Sequence, residues 1–138
     1  MQNEYMNEAL KLAEKAFNED EIPVGAVVVK NNKIIGCGYN QKEKYKNPLK
    51  HAELIAIEEA CKNIGDWRLN DCEIYVTLEP CQMCMGAIVE TRIKRVIYGI
   101  KKFDQMFDNK KDIEIIGGVL ENQCLEILQK FFKIKRNK

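Results

Sequence analysis

His51, the only histidine in the chain, stands two residues before Glu53 and thirty before Cys81, and Cys84 follows Cys81 at a three-residue step. An imidazole nitrogen and two thiolate sulfurs are donors that zinc takes in a tetrahedron, and a catalytic zinc keeps three protein ligands and leaves its fourth position to water. His51, Cys81 and Cys84 supply three. Glu53 would then be no ligand but a base: it would take a proton from the water at the fourth position, whose pKa falls toward ~7, and return it to the substrate. Each residue alone has a plainer reading. A lone histidine is usually satisfied by hydrogen bonds in a core, and a helix glutamate is usually solvated. A purely structural zinc would want a fourth protein ligand. All four residues in one chain favour the catalytic set.

These residues need elements to hold them together. Asn7 to Phe17 has helical spacing of Ala9, Leu10, Leu12, Ala13, Ala16 and Phe17, closed by Glu19-Asp20-Glu21. Val24 to Val29 is a nearly continuous β-branched run, expected to be a strand buried on both faces. Asn31-Asn32 tolerates a left-handed backbone and turns the chain into a second strand, Lys33 to Tyr39. A polar loop, 40–50, leads to a helix over Ala52–Cys61 with Leu54, Ile55, Ile57 and Ala60 as its apolar stripe and Gly65 as its stop. A strand over Glu73–Leu78, a helix over Cys81–Glu90 and a strand over Arg95–Ile100 follow. A short strand around Ile113–Ile116 and a helix over Glu121–Ile134 close the chain, the last helix turning Cys124, Leu125, Ile127, Leu128, Phe131 and Phe132 inward. The strands at 73–78 and 95–100, joined through a helix, should be parallel. The order predicts an α/β fold with a five-stranded mixed sheet between helices.

The metal hypothesis sets two local requirements. Cys81 and Cys84 at the start of a helix fall on one face, where the helix N-terminus favours thiolates, and Pro80 suits a helix entry. His51 and Glu53, two apart, lie about 200° around a regular helix. They can share a pocket only if that helix points its first turn into it, with the metal beyond its end.

Composition narrows the function classes. A chain of 138 residues suits one domain, 1–138. With 46% hydrophobic and 31% charged residues it reads as globular. A net charge of +1 provides no global field toward nucleic acid or membrane. No apolar run approaches the roughly 20 residues of a membrane span. The start is polar and acidic, unlike a secretory signal, so six cysteines point to a reducing cytoplasm. Cys37, Cys61, Cys72 and Cys124 show no paired spacing; Cys37 and Cys124 sit in apolar patterns and are expected to pack in the core. Asp66-Trp67 is expected to cap and pack a loop. Lysines gather at Lys42, Lys44, Lys46 and Lys50, and more basic residues at Arg92–Lys102 and Lys130–Lys138. They are either solvated surface or phosphate contacts, and phosphate contacts would weaken with salt.

His-x-Glu with Pro-Cys-x-x-Cys is the signature of the zinc deaminases. The chain resembles the bacterial tRNA-specific adenosine deaminases well beyond it. The likeness runs through Ile22–Val29, Ile35-Gly36 with Gly38-Tyr39-Asn40, His51–Ile57 and Tyr75–Cys81. It continues through Met83-Cys84 with Gly86-Ala87-Ile88, Arg92-Ile93 with Arg95-Val96, Tyr98-Gly99, and Phe131-Phe132-Lys133 with Arg136. It spans about four fifths of the chain. It implies a cytidine-deaminase-like three-layer α/β/α sandwich, one Zn2+ per subunit, a homodimer, and a tRNA anticodon stem-loop whose wobble adenosine becomes inosine. It also implies that Asn40 hydrogen-bonds the base or ribose, that the backbone at Ala52 helps read the base edge, and that Val24 lines the pocket. In such chemistry water attacks C6 of a flipped-out adenine while Glu53 protonates the ring nitrogen and then the leaving amine.

After Tyr98-Gly99 that family continues with an acidic residue, a lysine and a Gly-Ala pair before a longer loop. This chain has the shorter Ile100–Asp112 without the Gly-Ala pair. The change spares the metal set and falls on the pocket rim. A shortened rim would suit a free base or nucleoside, or a different nucleic-acid geometry, so a deaminase of cytosine, guanine or their nucleosides stays open. A zinc-stabilised RNA-binding module without catalysis is the reading outside enzymes, and the presence of Glu53 argues against it.

Overall fold

The structure is a computed structural model that describes residues 1–102 and 113–137. A sheet of five strands carries the fold: β1 (Gly25–Lys30), β2 (Lys33–Tyr39), β3 (Cys72–Leu78), β4 (Arg95–Ile100) and β5 (Glu114–Ile116), in the order β2-β1-β3-β4-β5. β1 is antiparallel to both β2 and β3. β4 runs parallel to β3 as the helical crossover requires, and β5 is parallel to β4. Asn31 and Asn32 take the positive φ values that their turn demands. Arg95 ties three strands together through ion pairs to Glu73 and Glu114.

β1 is buried on both faces, as its unbroken β-branched run predicts. Val27 and Val29 meet Met6 and Ala9 of α1 (Gln2–Asn18) and Cys124 of α5 (Glu121–Arg136). Ala26 and Val28 meet Ala52, Ala56 and Ala60 of α3 (Ala52–Ile64) and Met85 and Ile88 of α4 (Gln82–Glu90). The result is three layers, helix, sheet and helix.

Several local expectations are corrected. α1 begins at Gln2, five residues before the periodic stretch. The loop 40–50 holds a short helix, α2 (Lys42–Tyr45). On α5, Leu125 and Phe132 face outward, leaving Cys124 and Phe131 as its buried anchors. Cys37 is only half-buried, while Cys124 is buried as expected. Trp67 is exposed, with the guanidinium groups of Arg68 and Arg92 over its ring.

The stripe on α3 is corrected as well. Its buried residues are Ala52, Glu53, Ala56, Ile57 and Ala60, with Leu54 and Ile55 half-buried. Gly36 and Gly38 on β2 explain the rotation. A Cβ on Gly38 would stand 2.3 Å from the Ala52 carbonyl oxygen, and one on Gly36 would stand 2.2 Å from that of Ala56. The two glycines let the helix backbone lie directly on the strand, so small alanines face the sheet. That close approach fixes the height at which the first turn of α3 meets the sheet end.

Candidate metal centre and base pocket

The site lies at the end of the sheet where β2, β3 and β4 finish and β1 begins. His51 is the N-cap of α3, with an extended backbone (φ −80°, ψ 150°), so it projects ahead of the helix. Glu53 sits inside the first turn. The two-residue spacing is thereby reconciled: α3 points its N-terminus at the site, with the donor atom beyond its end. Cys81 is likewise the N-cap of α4, and Cys84 lies one turn in. Pro80 therefore precedes the cap, at the helix entry. Two helix N-termini converge here, and their partial positive charge favours thiolates and any anion formed between them.

The Nδ1 of His51 lies 3.7 Å from Cys81 Sγ and 3.5 Å from Cys84 Sγ. Donor atoms of the three residues all fall within 4.8 Å of one another. A tetrahedral zinc about 2.05 Å from nitrogen and 2.3 Å from sulfur holds those atoms about 3.6 Å apart, so the set fits the ion. Burial, reinforced by the charges of Lys42 and Lys102, pushes the His51 pKa down and keeps the imidazole neutral, as a ligand must be. Burial pushes the Cys84 thiol far up, and Glu53 and Cys81 push it further. Metal uptake must therefore displace its proton.

Glu53 is 4% exposed. Burial lifts its carboxyl up to about 7, opposed by hydrogen bonds from its own backbone N–H and from Cys84. A carboxyl poised near neutrality beside the donor set can both accept and return a proton. His51, Ala52 and Glu53 line a cavity of about 210 Å³ with Ile22, Val24, Asn40, Lys42, Leu78, Glu79, Cys81 and Lys102. Every expected site residue except Cys84 borders it, and Cys84 is buried just behind, at the metal position. A larger cleft of about 1150 Å³ opens between α1 and α5, but it offers no histidine or cysteine. The chemistry belongs to the smaller one.

Asn40 is held from three directions. Its backbone N–H donates to the Val24 carbonyl (3.0 Å), its Nδ2 donates to the Ile22 carbonyl (3.2 Å), and its Oδ1 accepts from the Lys42 N–H (3.3 Å). The amide keeps one N–H and one lone pair beyond these bonds. Ala52 is fully buried in the first turn of α3, where backbone N–H groups have no partner four residues back.

Two acids contribute that the sequence reading did not place at the site. The carboxylate of buried Glu21 accepts from the N–H groups of Glu43 (3.0 Å) and Lys44 (2.8 Å), capping α2 from outside. Glu79, beside Cys81, accepts from the Lys102 N–H (2.9 Å), and its own N–H donates to Ile100 (2.8 Å). Glu79 stood in the motif, so its position could have been noticed. Glu21 is indistinguishable in sequence from the neighbouring helix-end acids. Of the rim segment Ile100–Asp112, residues 103–112 lie outside the described residues.

Comparison with known proteins gives concordant matches. Residues 1–100 match the family model of the cytidine and deoxycytidylate deaminase zinc-binding region. The tRNA-specific adenosine deaminase of Bacillus subtilis is 40% identical over 97% of this chain and 90% of its own length. A solved tRNA A34 deaminase, studied for A-to-I editing at the wobble position, superposes with a TM-score of 0.85 at 33% identity, covering 91% of this chain and 99% of that one. The solved guanine deaminase of Bacillus subtilis is 41% identical but covers 72% of this chain and 64% of its own, with a TM-score of 0.68.

Proposed function

The chain belongs to the cytidine and deoxycytidylate deaminase zinc-binding family, and from that premise we propose that it hydrolyses the wobble adenosine of a tRNA anticodon to inosine. The observation that carries this reading is the buried Glu53 beside a His51–Cys81–Cys84 donor set, in a chain that aligns over nearly its full length with tRNA-specific adenosine deaminases. All 138 residues act as one zinc-dependent domain.

His51, Cys81 and Cys84 would hold one Zn2+, which when bound polarises water and brings its pKa toward ~7. Glu53 takes the proton from the attacking water, passes it to the ring nitrogen as the C6–O bond forms, and then delivers a proton to the departing ammonia. Asn40 and the backbone at Ala52 orient the base, and Val24 and Leu78 give it apolar walls. The cavity is below the roughly 300–1,000 Å³ that encloses a drug-sized ligand, a size that suits one base with its sugar toward the mouth. A base in a stacked helix could not reach this depth and must be flipped out.

Homodimerisation belongs to the same proposal, and the outer face of α4 supports it. Met83, Gly86 and Val89 recur at three-residue steps and are exposed. A Cβ on Gly86 would meet nothing within 4 Å in this chain, although glycine inside a helix costs roughly 0.5–1 kcal/mol relative to alanine. A second copy lying close against α4 accounts for the missing side chain. No helix among the described residues is long and apolar enough to cross a membrane; a cytoplasmic location goes with the proposed tRNA substrate.

The 41% identity to a guanine deaminase favours a second reading, deamination of a free base, although that likeness covers less of both chains. The test uses zinc-loaded protein with an anticodon stem-loop carrying a wobble adenosine, and with guanine, cytosine and cytidine in parallel. Inosine should form in the stem-loop and fall at least 10²-fold in Glu53→Ala. Turnover of a free base without stem-loop activity would replace the first reading by the second.

A further inference from the structure

Two basic side chains at the cavity mouth have no part in holding the metal or moving the proton. Lys42 and Lys102 both line the cavity and both are exposed. Lys42 follows β2 and Lys102 follows β4, and β1 and β3 lie between those strands. At a strand spacing of about 4.8 Å, that separates the two strand ends by roughly 14 Å across the pocket.

Each backbone is anchored at the site. The Lys42 N–H donates to Asn40, and the Lys102 N–H donates to buried Glu79. The positions of both side chains are thus tied to residues that border the base pocket. Neither ammonium has an ion-pair partner among the described residues, whereas Lys11, Lys44 and Lys135 each have one. A base held in a cavity of about 210 Å³ would have its sugar and the two flanking phosphates at the mouth, where Lys42 and Lys102 lie.

We propose that Lys42 and Lys102 contact the phosphates flanking the target nucleotide, so that the pocket selects a nucleotide within a strand over a free base or nucleoside. This rests on the polynucleotide reading above. A free base has no phosphate to offer, and its capture would leave both cations at the mouth without a use.

The test pairs the charge on the protein with the charge on the ligand. Zinc-loaded wild type and the Lys42→Gln/Lys102→Gln double variant are titrated by fluorescence anisotropy with two stem-loops. One has native linkages; the other has neutral methylphosphonates at the two phosphates flanking the wobble adenosine. For wild type, neutral linkages should weaken binding about tenfold and reduce the slope of log K against log salt by about 1.4, two contacts at ~0.7 each on a single strand. The double variant should bind both ligands alike, with zinc content unchanged. Equal binding of both ligands by wild type, or undiminished discrimination by the variant, overturns the proposal. Stem-loop turnover is followed in parallel. If it persists while the charge effect is absent, only the lysine assignment fails; if wild type deaminates a free base and neither turns over nor distinguishes the stem-loops, both readings fail together.

Discussion

At Glu53, burial and the proposed proton transfer act on one carboxyl. Without metal, desolvation raises its carboxyl from 4.5 to about 7, while in the unfolded chain it stays near its ordinary value. The folded state therefore binds more protons across that window, and stability is lost as pH rises from about 4.5 to about 7. Glu53→Gln keeps the shape and removes the titration. Metal-free Glu53→Gln should be more stable than metal-free wild type at pH 8, by up to ~3 kcal/mol, and much closer to it at pH 5. Urea midpoints of chelator-treated proteins at the two pH values check this; a difference independent of pH would refute it. Cys84 supplies a second proton effect. Burial keeps it a thiol, so zinc uptake releases its proton and zinc affinity should fall at least about tenfold per pH unit below neutrality. Competition with a chromophoric chelator between pH 6 and 7.5 measures that slope, and a flat profile would contradict it.

At the scale of elements, the site depends on how closely α3 lies on β2. Gly38 has no room for a Cβ against the Ala52 carbonyl, at 2.3 Å, or the Ala56 N–H nitrogen, at 2.7 Å. The neighbours are helix backbone, which cannot swing aside as a flexible side chain can. Gly38→Ala should lift the first turn of α3, displacing His51 and Glu53 from the cysteines on α4. Because a misplacement of about 1 Å can cost ~10² in rate, kcat/KM should drop by that order, and zinc affinity should fall with it. Gly86→Ala on α4 is the comparison, since its added Cβ meets nothing within the chain and the metal set should stay intact. Zinc stoichiometry of the two variants separates a displaced helix from a general intolerance of alanine.

For the whole molecule, near-neutral net charge means that any attraction for RNA comes from local placement of charge. Lys42, Lys44, Lys46 and Lys50 all fall on the segment after β2, at the same end of the sheet as the base pocket. Assembly is the other property at this scale. With Met83, Gly86 and Val89 exposed along α4, wild type is expected to sediment as a dimer. Gly86→Glu should shift it to monomer at micromolar concentration while zinc content is retained. A monomeric wild type, or a variant that remains dimeric, removes α4 as the interface.

The sequence by itself determined the donor set, the glutamate beside it and the order of the strands and longer helices, because these depend on residue type and short-range period. The His-x-Glu pair, the Cys-x-x-Cys step, the β-branched run of β1 and the Asn-Asn turn each carry their meaning within a few residues. It also determined that β3 and β4 run parallel, since a helix joins them. Contacts between distant segments were decided only by the tertiary structure. Gly36 and Gly38 rotate α3 so that alanines rather than Leu54 and Ile55 meet the sheet, and no periodicity within α3 reveals a strand some fifteen residues earlier. Glu21 caps a helix more than twenty residues away. Lys42 and Lys102 become neighbours of one cavity because the strands before them end on the same side of the sheet. Local chemistry is written in types and spacings; the distances that make it a site arise when the sheet closes and the helices settle on it.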